Sequence, residues 1–120
     1  RDAARRRTLV VGVGENFSGG DFFEIPDGGP ARKIEKGPHG ILDGLALLPD
    51  GETLISDWVA FDPPTAGVLT RQAADGAVIG RLDLGRAVHG PADFAVDPAK
   101  GEIWIPAMLE GVVVIAPPTR

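Results

Sequence analysis

Short apolar runs, broken by glycine, proline and aspartate, recur along the whole chain. Apolar and polar positions alternate over five to seven residues at a time, the two-residue period of a half-buried strand. The pattern predicts strands over 8–13, 21–26, 31–35, 42–48, 53–57, 67–73, 78–84, 93–97, 102–106 and 112–116. Turn residues separate them, among them Asp27-Gly28, Pro49-Asp50-Gly51 and Asp75-Gly76, which favour tight reversals between antiparallel strands. No segment shows the 3.6-residue apolar period of a helix. The expected class is all-β.

One passage is nearly repeated. His39 to Trp58 reads strand, turn, strand, and His89 to Pro106 reads the same about fifty residues later. His39, Gly40, Asp43, Gly51, Glu52 and Ile55 meet His89, Gly90, Asp93, Gly101, Glu102 and Ile105 at that offset. A period of about 40–50 residues with several short strands is the mark of a β-propeller blade. The chain has 120 residues, or about two and a half blades of four-stranded antiparallel sheet. The expectation is a propeller fragment: a solvated arm over 1–7, the end of one blade over 8–36, a complete blade over 37–86 and most of another over 87–120. A small open sheet or sandwich that happens to repeat is the alternative. A truncated propeller exposes an apolar sheet face and free strand edges, so self-association is expected.

Charge and composition narrow the partners. The net charge is −5, against the basic surface of a nucleic-acid binder. There is no cysteine, which removes disulfides, thiolate metal sites and cysteine nucleophiles. No apolar run reaches the ~18 residues of a membrane span. Arg1 to Arg7 is charged and is not followed by the long apolar core of a signal peptide.

Three groups of residues could carry chemistry. The repeated His-Gly-x-x-Asp places His39 with Asp43 and His89 with Asp93. At one end of neighbouring inner strands these could converge, and imidazole and carboxylate suit a divalent metal such as calcium or zinc. Otherwise the histidines cap loops and the aspartates bond backbone N–H groups. Asp57 and Trp58 end a strand, where the carboxylate and indole could hold a sugar or other flat ligand, or the indole could pack between blades. Trp104 is mid-strand and reads as core. The loop Glu15 to Asp21 carries carboxylates, an amide and a hydroxyl without the spacing of a calcium hand. Gly12-Val13-Gly14 lacks the third glycine and following helix of a dinucleotide site. Ser18 and Ser56 sit in no nucleophile elbow.

The stretch Asp43-Gly44-Leu45-Ala46 followed by Leu47-Leu48-Pro49-Asp50-Gly51-Glu52-Thr53-Leu54 resembles the gluconolactonase / senescence marker protein family of sugar-lactone lactonases. Gly90 to Asp97, with Ile103 to Pro106, looks like its final blades. The resemblance spans residues 37–116, with motifs shared by NHL-type propellers. It implies a six-bladed propeller, one calcium or zinc ion at the channel mouth, a lactone substrate and a periplasmic or secreted location. In that family the metal polarises the lactone carbonyl and helps activate water. Asp43 matches a ligand position. The family's second aspartate falls on Ala92, with Asp93 one place later. The function so implied is a metal-dependent lactone hydrolase. The alternative is a non-catalytic propeller that binds a protein, peptide or carbohydrate through its loop face.

Overall fold

The computed structural model describes residues 1–117; residues 118–120, the end of the last expected segment, lie outside them. The chain is all-β, with ten strands and one short 3₁₀ turn at Glu15–Phe17 among the described residues. Sheet I is β1 (Arg7–Val11), β2 (Phe22–Pro26) and β3 (Arg32–Lys33). Sheet II is β4 (Leu42–Leu47), β5 (Thr53–Asp57), β6 (Val68–Gln72) and β7 (Val78–Arg81). Sheet III is β8 (Ala95–Val96), β9 (Ile103–Ala107) and β10 (Val112–Ala116). Each sheet is an antiparallel meander whose strands pair in chain order. Among the described residues the three sheets form no closed barrel or ring.

Strand alternation decides how the sheets stack. In β5, Leu54 and Ile55 are both fully buried, although neighbouring side chains leave opposite faces. Leu54 packs with Leu69, Ile103, Ile105 and Val114, the core between sheets II and III. Ile55 packs with Leu9, Phe22, Ile34 and Leu42, the core between sheets I and II. Sheet II is therefore covered on both faces at β5 and β6, while β7 stays exposed along its length. Each fully buried aliphatic side chain contributes about 1.5–3 kcal/mol relative to exposure.

The polar residues of β5 and β6 do not break this packing. Thr53 donates to Gln72 Oε1 at 3.1 Å and Gln72 Nε2 donates to Thr70 Oγ1. Buried polar groups satisfied by one another avoid the cost of orphaned donors.

A single hairpin turn recurs in all three sheets. It runs from Asp2 to Arg7, from Leu48 to Glu52 and from Asp97 to Glu102, closed by N–H to carbonyl bonds of 3.0, 2.8 and 2.8 Å. Each turn has a left-handed residue just before its last: Arg6, Gly51 and Gly101. The segment expected as a solvated arm is thus a folded turn. Asp2, 1% exposed, accepts from Arg7 Nε at 3.0 Å. Arg7 in turn donates to Glu24 at 2.8 Å and to the Ala74 carbonyl at 3.0 Å. Burial works to raise the Asp2 pKa, but the Arg7 bond, the Arg5 N–H and both guanidinium charges outweigh it and hold the carboxyl below its usual range.

Turn equivalence aligns β1, β5 and β9. Leu9, Leu54 and Trp104 then leave one face, and Val10, Ile55 and Ile105 the other. Trp104, expected in the core, lies 45% exposed on the outer face of sheet III. It points where Leu54 points in sheet II, and no further sheet is stacked there among the described residues.

Candidate functional site

The loops that follow β1 and β5 meet at one end of sheets I and II. Phe17 from the first and Phe61 from the second lie stacked, with ring centroids 5.3 Å apart and planes inclined 17°. Trp58 sits beneath both, at 6.3 Å from Phe17 and 6.1 Å from Phe61. Trp58 is only 8% exposed, whereas Phe17 and Phe61 are 46% and 47% exposed. The ring faces open to a ligand therefore belong to the phenylalanines. Trp58, expected to stack on a ligand, is the floor that supports them.

These rings border a cavity of about 580 Å³, also lined by Asn16, Ser18, His39, Asp57 and Asp62. That volume is within the range of small-ligand sites. The backbone around it is strained. Of the four non-glycine residues with positive φ among the described residues, three line this cavity: Asn16 at 52°, Phe17 at 58° and Val59 at 68°. A β-branched residue there is an outlier, and such strain persists only where the surroundings enforce it.

Asp57 supplies part of that enforcement. Its Oδ1 accepts the Ile41 N–H at 3.0 Å and the Val59 N–H at 2.8 Å. A Cβ on Gly40 would lie 2.3 Å from Asp57 Oδ2, so only glycine lets the loop before β4 close on this carboxylate. Asp57 lines the cavity, and its Oδ1 is committed to holding the two loops.

The histidines do not join Asp43 and Asp93. His39 turns to Asp21, with Nδ1 2.8 Å from Oδ1. His89 lies with Nδ1 3.4 Å from Glu110, which also accepts the His89 backbone N–H at 2.8 Å. Both tie one loop to the next.

Asp43 and Asp93 do come together, in a second cavity of about 410 Å³ between β1 and β4. Two local features cause it. The β4–β5 register is irregular between Leu42 and Leu45, which re-aims Asp43. Asp93 lies in a bend, and β8 begins only at Ala95, so regular strand alternation does not turn its side chain away. Gly44 allows the close approach: a Cβ there would lie 2.7 Å from Phe94 Cδ1 and 2.8 Å from the Ala92 carbonyl oxygen. Ser56 stitches the contact, accepting the Gly44 N–H at 2.7 Å and donating to the Ala92 carbonyl at 3.1 Å.

Burial raises the Asp43 pKa above its ordinary value. The Trp58 indole N–H pulls the other way, and the charge of Asp93 adds to the rise. Trp58 Nε1 is itself buried with no hydrogen bond of ordinary geometry. The pair was the expected core of a calcium or zinc site. Calcium takes about six to eight oxygen ligands, and zinc about four ligands. Among the described residues no group of three histidine, cysteine or acidic side chains is placed to share a metal ion. Two carboxylates do not make that set, so the residues present do not fit the implied metal.

No protein-family model matches the chain, and neither curated proteins nor solved structures show a significant match to it. Among the described residues, no helix is long and apolar enough to cross a membrane.

Proposed function

We propose that this chain is a β-propeller module that binds a saccharide-like ligand on its loop face, in the cavity capped by Phe17 and Phe61. The propeller reading is supported by the three meanders, the recurring hairpin turn and the repeated stacking direction. The observation that carries the binding reading is the pair of exposed, stacked rings held by strained loops beside an amide, a hydroxyl, an imidazole and carboxylates. Sugars present a flat C–H face and a hydroxylated rim. Aromatic faces with a few convergent polar groups suit that combination.

The test is calorimetric titration of neutral hexoses and their δ-lactones into wild-type protein and Phe61→Ala. Loss of one aromatic contact lowers affinity by about 0.5–1.5 kcal/mol, up to roughly tenfold. Equal affinity in both proteins, or binding of no member of the panel, defeats the proposal.

A second reading, lactone hydrolysis, is favoured by the meeting of Asp43 and Asp93 in one cavity. It requires ligands beyond these two. Calcium or zinc titration of wild type and Asp43→Asn tests it: binding unaffected by the substitution removes Asp43 from any metal site.

A further inference from the structure

The Phe17–Phe61 cavity selects by charge as well as by its rings. Its lining carries two carboxylates, Asp57 and Asp62, and no lysine or arginine among the described residues. Its histidine, His39, has Nδ1 2.8 Å from Asp21 Oδ1. Asp21 also holds Lys33 Nζ at 3.5 Å. Both of those basic groups face a carboxylate that is not part of the lining.

Neither cavity carboxylate meets a cation. Asp57 Oδ1 is taken by the backbone N–H groups of Ile41 and Val59, which carry no net charge. Its Oδ2 lies against Gly40, where a Cβ would come within 2.3 Å, and accepts no hydrogen bond among the described residues. Asp62 is exposed, and its side chain makes no hydrogen bond or ion pair among the described residues. Elsewhere in the same two sheets carboxylates take up basic side chains, as Glu24 does with Arg7 and Arg32, and Asp75 with Lys36. Uncompensated carboxylates lining a cleft attract cations and repel anions.

We infer that the ligand of this cavity is a cationic amino sugar, a hexose in which a protonated amine replaces one ring hydroxyl. This rests on the saccharide reading above and names the saccharide class within it. The C–H face of the ring lies on an open phenylalanine face, and the ammonium takes the place of the missing cation beside Asp57 and Asp62. An ammonium brings donors and no acceptor, which is what carboxylate oxygens without partners require. A uronic acid adds an anion where no cation waits for it.

The experiment is calorimetric titration at low ionic strength of four probes that share one ring: glucose, 2-amino-2-deoxyglucose, its N-acetyl form and glucuronic acid. An exposed ion pair is worth up to about fivefold in affinity, so the amine is expected to bind roughly three- to fivefold tighter than glucose. Acetylation keeps the nitrogen and removes the charge, and it should abolish the gain. Raising salt to ~0.5 M should erode it too. Asp62→Asn should lower the ratio of amine to glucose affinity. Asp57→Asn should do the same, since asparagine keeps an oxygen for the Ile41 and Val59 N–H groups. Circular dichroism checks that both variants keep their sheet content.

Equal affinity of wild type for the amine and for glucose overturns the inference. So does a preference left unchanged in both variants, or tightest binding by glucuronic acid. In each of these cases, glucose binding that weakens in Phe61→Ala leaves the saccharide reading standing. If no probe binds, the saccharide reading fails and this inference fails with it.

Discussion

Gly44→Ala probes the contact on which the Asp43–Asp93 arrangement depends. The added methyl would lie 2.7 Å from Phe94 Cδ1, 2.8 Å from the Ala92 oxygen and 3.0 Å from the Asp93 Cα. The last two are backbone atoms, so the strain cannot be relieved by one flexible side chain. Phe94 is buried in the core between sheets II and III and has little room to retreat. Overpacking of this kind costs about 1–3 kcal/mol. With a urea m-value of about 1–3 kcal/mol/M for a small domain, a 2 kcal/mol loss lowers the unfolding midpoint by roughly 1 M. The m-value should not change. Because the methyl pushes residues 92–94 off β4, it also separates the two carboxylates. The Asp43 pKa, followed by carboxyl NMR, should fall toward its ordinary value. An unchanged midpoint and an unchanged Asp43 titration would refute the argument that Gly44 sets this approach.

Two further outcomes follow from the ionisable groups. The Asp43 pKa is raised by burial, so the folded state holds its proton above the ordinary value of 3.8. Between the unfolded and folded values stability falls as pH rises, and the deficit persists above the folded value. Asp43→Asn should therefore melt higher than wild type at pH 7, with the gap closing in acid; an equal or lower melting temperature at pH 7 counts against the raised pKa. Asp2 behaves oppositely, its pKa being lowered from 3.8. Asp2→Ala leaves Arg7 Nε and the Arg5 N–H without their acceptor, at a cost of about 1–3 kcal/mol at neutral pH. That cost should shrink as pH falls through the folded-state pKa of wild-type Asp2, which paired urea titrations across the acid range would show.

The strands were legible because their signal is local. Each of the ten apolar runs is a strand, and a two-residue period needs no knowledge of distant partners. The ends moved where pairing stopped: the run 93–97 shrank to Ala95–Val96 because Asp93 bends toward β4. The Asp2–Arg7 turn was hidden because arginine, not glycine, occupies its left-handed position. Phe17 and Phe61 were missed because neither lies in a periodic run: Phe17 is a lone aromatic in a polar loop, and Phe61 follows Trp58 in an irregular loop with two prolines. The available signal was that both loops follow strands at matching places in the repeat, β1 and β5. Trp104 read as core because mid-strand aromatics usually are; nothing local reveals whether another sheet lies beyond.

The two seams between sheets are unequal. Among the described residues, ten buried side chains make up the core joining sheet III to sheet II, and five the core joining sheet I to sheet II. The face that sheet II turns toward sheet I spends part of its width on Thr53, Thr70 and Gln72, whose hydrogen bonds are satisfied within their own sheet. Those bonds give sheet I nothing to hold. Sheet I should therefore detach as a separate cooperative unit before the rest unfolds, and its amides should exchange with solvent ahead of those of β5, β6 and β9. One wall of the Phe17–Phe61 cavity comes from the loop between β1 and β2, so a bound ligand would pin the least stable sheet to its neighbour.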